Sequence, residues 1–275
     1  MAKRSGASGS SFHWGIRFLP PGQREDVAAI YAFCRAADDD VDLDPGKGAE
    51  AVARWREEVA SCFAGFPKHR VMKDLHPIIR TRRLRREYFD KILDGLDMDV
   101  TRRRYGSLDE LLGYCDCVAG AVGFLVLQVM GLHEDQRATD YAKNLAWGLQ
   151  ITNILRDLRP DADIGRVYLP QDAMSAYGYS EAELKKGVVN VGFFKVARFM
   201  AKKADESFAK ARDGLDRPLR QRLLGPEIMR ATYESLLHKI MHAVDLSLDG
   251  TPPRLSGFEK LAIAVSTWLH VRYLS

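Results

Sequence analysis

QITNILRDLRPD, residues 150–161, decides how this chain reads. On a helix, Gln150, Asn153, Asp157 and Asp161 stand at i, i+3, i+7 and i+11. At roughly 100° per residue they fall within about 80° of one face. That face carries two amides and two carboxylates, while Leu149, Ile151, Ile154, Leu155 and Leu158 make the rest of the helix apolar. Burying unpaired carboxylates is costly, so the stripe does not serve stability alone; bound cations would offset the cost. Far upstream, YAFCRAADDDVD repeats the pattern: Tyr31, Arg35, Asp38 and Asp42 share a narrow face at i, i+4, i+7 and i+11. Two helices that each offer carboxylates four residues apart can hold Mg²⁺ between them. Mg²⁺ takes oxygen ligands and is commonly completed by phosphate oxygens of a substrate. The chemistry indicated is departure of diphosphate from an organic substrate, with metal neutralising the leaving group.

The 275 residues suffice for one large core. Hydrophobic residues at 46% and charged residues at 28% exclude a disordered chain. A net charge of +4 suits a small anion or an acidic membrane surface and is too weak to imply nucleic acid. Cys34, Cys62, Cys115 and Cys117 form no CxxC pair, so reduced thiols and a cytoplasmic location are expected. The N-terminal stretch lacks the apolar core of a signal peptide. The longest apolar run, residues 118–132, falls short of the roughly twenty residues that span a bilayer and reads as a buried core helix.

Along the chain, residues 1–10 read as a flexible Ser/Gly leader and 11–275 as one domain. Helices are expected after a break at Pro20-Pro21-Gly22 to about Asp42, over 48–64, near 70–80, over 84–95 ending at Gly95, and after the capping sequence Ser107-Leu108-Asp109-Glu110. Further helices are expected over 135–159, after Ser180, over 191–213 and 225–248, and from about Ser256. Strand-like alternation is scarce, so the fold class is all-α, a single-domain bundle whose ligands project from facing helices into a central cavity.

Several features have plainer readings. The arginine clusters at 80–86 and 102–104 read as solvated surface; their functional alternative is peripheral contact with acidic lipid at the inner membrane face. His238 and His242 share a helix face, but no Glu intervenes as in HExxH, so a metal site is not expected there. The small-residue run 119–123 reads as close helix packing, compatible with the smooth wall of an isoprenoid channel. Neither GxGxxG nor a P-loop is present.

SSFHWGIRFLP (10–20), AIYAFCRAADDDVD (29–42), YCDCVAGAVG (114–123) and LQITNILRDLRPDADIGRVYLP (149–170) together resemble the squalene/phytoene synthases, head-to-head trans-prenyl transferases; GLDMDV (95–100) and the Tyr233 helix match more loosely. SGSSF, YAFCR and LQ-x-TNILRD point within that family to the bacterial branch that forms presqualene diphosphate for hopanoid and squalene biosynthesis. The resemblance implies an isoprenoid-synthase helical bundle that joins two farnesyl diphosphates. It implies Mg²⁺, with Mn²⁺ as substitute, on Asp38, Asp42, Asn153, Asp157 and Asp161. Diphosphate contacts are implied at Arg35, Arg156 and Arg166; Tyr31, Tyr114, Gln150 and Tyr233 would line the reacting centre, with Phe12 near the cavity mouth. NADPH is not expected. The alternatives are a phytoene synthase using two geranylgeranyl diphosphates, a complete squalene or dehydrosqualene synthase, and a catalytically silent binding homologue; the intact carboxylates argue against the last. Two features depart from the family pattern. Pro160 disfavours helical geometry at Arg159 and would displace Asp161. The stretch RLSGFEKL (254–261) shows no obvious match to a basic residue that relatives place near the diphosphate.

Overall fold

Apolar residues recur at helical spacing through most of the chain, and the structure, a computed structural model, is built of helices. It describes residues 15–44, 46–101, 104–249 and 251–274. The expected leader, Phe12, Arg102 and Arg103 lie outside the described residues. Among the described residues the extended pairing is one isolated parallel bridge, Arg104 to Val167.

Helix α1 (Pro21–Leu43) begins on a proline, whose missing N–H is not needed in a first turn. Its apolar face, Val27, Ile30, Phe33, Ala37 and Val41, is buried against α2 (Gly48–Phe63) and α3 (Arg70–Arg82). Phe33 meets Trp55 of α2 edge-on at 5.6 Å and Phe89 of α4 (Arg86–Thr101) at 5.3 Å. These rings fix how far α1 stands from its neighbours, and so where its carboxylates lie.

Gly95 does not end α4. It lies inside the helix, buried, where an added Cβ would come within 2.5 Å of Val118. It serves close approach instead, and α4 runs on to Thr101, carrying Asp99 with it.

After Ser107, whose hydroxyl accepts from the Glu110 N–H, helix α5 (Leu108–Cys115) passes through a π-helical turn, Asp116–Gly120, into α6 (Ala121–Met130). The Glu110 carboxylate caps the Gly106 N–H, not that of Ser107, so only half of the expected capping box forms. The run from Leu108 to Met130 is long and apolar enough to cross a membrane by length and composition. It is packed among α1, α4 and α7 (Gln136–Arg156), as a core helix of a bundle would be.

Downstream come α8 (Leu158–Asp163), α9 (Gln171–Ala176), α10 (Glu181–Lys185), α11 (Val191–Asp213) and α12 (Arg217–Arg222). The chain ends with α13 (Leu224–His242), α14 (Leu246–Asp249), α15 (Gly257–Leu269) and a π-helical end, His270–Leu274. The single helix expected over 225–248 is thus two. Ser180 and Ser256 each form a full capping box, with Glu183 and Glu259. The four cysteines are free; burial pushes the Cys34 thiol up to about 12 and the Cys62 thiol to about 11.

Helix α7 lies along α11, and the approach depends on Gly148: a Cβ there would come within 2.4 Å of the buried Phe208 ring. Gly148→Ala is expected to lower stability by about 1–3 kcal/mol through overpacking. A urea melt checks this, and an unchanged midpoint would mean that the ring has room to move.

Candidate active site

Helix α7 was expected to run through Asp157. It ends at Arg156, and Asp157 adopts φ −104° and ψ 21°, closing one helix and opening α8. Pro160 explains the place. Four residues back is the Arg156 carbonyl, which a residue-160 N–H would have bonded and which the proline ring crowds. The break therefore falls at Asp157 and not at Arg159. Hydrogen bonding resumes around it: the Asp157 N–H donates to Asn153 O at 2.9 Å, and the Asp161 N–H to Asp157 O at 3.0 Å. The i, i+4 relation of Asp157 and Asp161 survives the kink.

On α1, the acidic run divides its work. Asp40 accepts from Trp55 Nε1 at 3.0 Å and helps fix α1 to α2. Asp39 is exposed and pairs with Arg35 at 2.8 Å. Asp38 lies 3.4 Å from Arg35, and Asp42 faces across the molecule to Arg166 Nη2 at 3.1 Å.

Arg166 sits in the GRVYLP loop, which is not free to wander. Arg104 donates to the Gly165 carbonyl at 2.6 Å and forms an ion pair with Glu181, whose carboxyl it helps hold at about 2. Arg104 is thus a structural clasp, not the solvated residue expected from its cluster. The Gln171 N–H donates to Tyr105 O at 2.9 Å and the Asp172 N–H to Gly106 O at 3.1 Å, zipping the loop to residues 104–106.

So held, the loop delivers Arg166 to Asp42 and, through Nε, to the Asp99 carbonyl at 3.2 Å. Tyr168 of the same loop donates to Asp99 Oδ1 at 2.6 Å, and Tyr114 donates to Asp99 Oδ2 at 3.1 Å. Tyr105, Tyr114 and Tyr168 cluster around this carboxylate with ring centres 5.3–5.9 Å apart. Burial drives the Asp99 carboxyl above its ordinary value, opposed by the Tyr168 hydrogen bond, the Arg166 charge and the Tyr114 hydrogen bond. The charge of Asp38 adds to the rise, which puts α1 beside this cluster.

The other side of the site is built on α7, α8 and α13. Arg156 pairs with Asp157, with Nε 2.9 Å from Oδ1. Burial works against its charge, but Asp157, Tyr233 and Asp161 keep it protonated. Tyr233 of α13 is buried beside Asn153, Arg156 and Tyr31, and burial raises its hydroxyl above the usual value. Gln150 accepts from Asn153 Nδ2 at 3.5 Å, while Asn153 Oδ1 is buried and unpartnered. Lys260 of α15 lies close enough to Arg156 and Arg254 to have its pKa lowered, with burial the larger cause.

Residues singled out from sequence are therefore linked across the bundle: Tyr31 and Tyr233, through Arg156, Asp157 and Asp161, connect to Arg166 and Asp42 by way of Tyr168 and Asp99. Tyr114 backs Asp99. Arg35 pairs with Asp38 and Asp39 of its own helix. Among the described residues, no three His, Cys, Asp or Glu side chains are gathered closely enough to hold a metal as they stand. Arginines are paired with Asp38, Asp42 and Asp157. The donor set still fits Mg²⁺: every candidate ligand offers hard oxygen, and Asn153 presents a buried acceptor without a donor.

A sequence model of the squalene/phytoene synthases matches residues 6–259. The chain belongs to the squalene/phytoene synthase family. It is a prenyltransferase with that family's all-α fold. It is 34% identical to a presqualene diphosphate synthase of Sinorhizobium fredii over 94% of this chain and 93% of the relative. It is 36% identical to that of Zymomonas mobilis over 87% and 83%. A crystal structure of the squalene synthase HpnC from Alicyclobacillus acidocaldarius superposes with a TM-score of 0.76 at 25% identity, covering 85% of this chain and 88% of that one.

Three residues of the candidate site escaped the sequence reading. Asp99 falls on the apolar stripe of α4, at i+7 from Ile92 and i+3 from Leu96, and that misplaced charge was the available signal. Tyr168 lay inside the matched stretch 149–170, but no role was assigned to it. Lys260 supplies a basic residue in the stretch where none could be matched; the spacing places it opposite Phe258 on α15, but nothing local says that this flank meets Arg156.

The raised pKa of Asp99 makes a pH prediction. A folded-state value above the unfolded one means that the native state binds the proton more tightly, so stability is lost as pH climbs past the ordinary 3.8 through the raised value. In metal-free protein, Asp99→Asn should flatten that loss. Chemical melts of both proteins across the acidic range read it; parallel curves would show that ionised Asp99 is fully compensated.

Proposed function

We propose that this prenyltransferase joins two farnesyl diphosphates head to head and releases presqualene diphosphate. What supports the reading is the linkage of the two stripes: Asp42 on α1 pairs with Arg166, Asp157 pairs with Arg156, and Tyr31 of the α1 stripe and Asp157 both lie near Tyr233. The names of its curated relatives support the choice of product.

Asp38, Asp42, Asn153, Asp157 and Asp161 would hold Mg²⁺. When bound, the metal supplies charge neutralisation for the departing diphosphate. Arg156 and Arg166 carry planar forks of N–H donors suited to phosphate oxygens, and Lys260 adds a point charge from α15. The donor's C1–O bond breaks with its electron pair going to diphosphate. The acceptor's C2–C3 double bond attacks donor C1, and loss of a proton from that carbon closes a cyclopropane. The released diphosphate is the nearest strong acceptor for that proton. Tyr31 and Tyr233, with the Tyr233 hydroxyl kept protonated by burial, line the reacting centre and exclude water from the cation. Asp99 orients Tyr168 and Tyr114 and receives Arg166 on its carbonyl, so it positions the diphosphate end without touching the reacting carbons.

Product analysis tests this reading. Purified protein given farnesyl diphosphate and Mg²⁺ should release one inorganic diphosphate per coupled pair and an organic product that stays anionic. NADPH should change nothing. Two diphosphates with a neutral hydrocarbon would replace the assignment with a complete synthase.

The carboxylates can be tested separately. Asp157→Asn and Asp38→Asn should each lower kcat/KM by at least about 100-fold, roughly 2.7 kcal/mol of transition-state stabilisation, while retaining the helical circular dichroism spectrum. Chelation should abolish turnover and Mg²⁺ restore it, with Mn²⁺ as a substitute. Near-normal activity of either variant at limiting Mg²⁺ would dismiss the two-helix metal site.

A further inference from the structure

We propose that α15 and its π-helical end dock this protein on an acidic lipid surface. The helix is an amphipathic rod laid on the bundle with its apolar side outward. Phe258 is 81% exposed, Leu261 and Val265 46% each, Leu269 45% and Tyr273 64%. Phe258, Leu261, Val265 and Leu269 stand at i, i+3, i+7 and i+11, a stripe about 80° wide. A face of that kind turned to water is the signature of a surface that meets something else. Inward, α15 buries only Ala264, and the Lys239–Glu259 ion pair at 2.8 Å ties it to α13.

The rim of the stripe selects the occupant. Arg254, within range of the Lys260 charge, precedes it, and Arg272 follows; both are exposed. Arg217 reaches the same end, donating to the Arg272 carbonyl at 3.4 Å. Glu259, the one acidic residue of the helix, is already neutralised by Lys239. The rim is therefore cationic, complementary to acidic head groups. Trp268 and Tyr273, with ring centres 6.1 Å apart, are the amphipathic aromatics that settle at a membrane–water boundary. A second copy of the chain fits less well: a two-fold interface presents a patch to itself, setting cationic rim against cationic rim.

The same helix connects this surface to the reaction. Lys260 lies about 200° around α15 from Phe258, and its charge is felt by Arg156. One face would thus rest on lipid while the opposite flank borders the diphosphate end of the site. A prenyl diphosphate is an amphiphile with a lipid-soluble chain, so docking brings the site to where such a substrate partitions. That benefit rests on the functional reading above; the docking test does not, because it reads binding without turnover.

The experiment is co-sedimentation of the full chain with vesicles of phosphatidylcholine, alone or with about one-third phosphatidylglycerol. The wild type should partition onto the acidic vesicles and release as salt rises. Phe258→Gln/Leu261→Gln/Leu269→Gln should partition about tenfold less, and Arg254→Gln/Arg272→Gln should lose the preference for acidic lipid. If the triple variant fails to fold by circular dichroism, Leu261→Gln alone should still weaken partitioning. Equal partitioning of folded stripe variants and wild type would overturn the proposal. So would an absence of wild-type binding, or a dimer in sedimentation equilibrium that the stripe substitutions dissolve while vesicles leave the wild type unbound.

Discussion

A carboxylate in an apolar bundle must be neutralised, and the arrangement of this site follows from how that is done across helices. Asp42 on α1 is met by Arg166, which comes from a loop more than a hundred residues later and also bonds the carbonyl of Asp99 on α4. One guanidinium therefore joins three elements that share no local sequence. It can do so because Arg104 holds the loop by the Gly165 carbonyl and because Tyr168, two residues on, is fastened to the Asp99 carboxylate. Asp157 is neutralised by its own neighbour, Arg156, where α7 stops. The arginines that balance the carboxylates are also the groups suited to phosphate, so the balance can be handed to a metal and a diphosphate without bringing in new side chains.

The kink at Asp157 is where backbone chemistry reaches the site. A straight helix would align Asp157 and Asp161 with Gln150 and Asn153 on one stripe. Pro160 removes a hydrogen bond and crowds the Arg156 carbonyl, so the axis changes at Asp157 while the bond from Asp161 to Asp157 is kept. The two carboxylates move as a unit relative to the amides. Asn153 stays on the straight part, its Oδ1 buried without a donor, beside Tyr233. An unpaired buried acceptor is costly to keep and is most simply understood as a place for a ligand.

Helix α15 presents a different arrangement: its long apolar stripe faces water, while Ala264 is the residue buried beneath it. A helix with a single face to bury would turn it inward; this one keeps Lys260 toward Arg156 and leaves Phe258, Leu261 and Val265 outside. The capping box at Ser256 and the ion pair to Lys239 hold it in that orientation despite the small apolar contact beneath.

Helical periodicity by itself determined the all-α fold, the end of α1, the boundaries of α11, and the two carboxylate stripes, because period and capping act within a few residues of one another. It also singled out Asp38 and Asp42 from the longer acidic run, and in the structure Asp40 indeed turns away to Trp55. Tertiary structure decided the rest. Gly95 reads locally as a helix end, yet it lies mid-helix because Val118 packs where a side chain would be. Arg104 reads as one of three solvated arginines, and only the loop lying over it makes it a clasp. Asp99, Tyr168 and Lys260 belong to three separate segments, and their roles come from contacts across the bundle that no local pattern encodes. Sequence spacing fixes which residues share a helix face; which faces meet is set by packing, and here packing made the site.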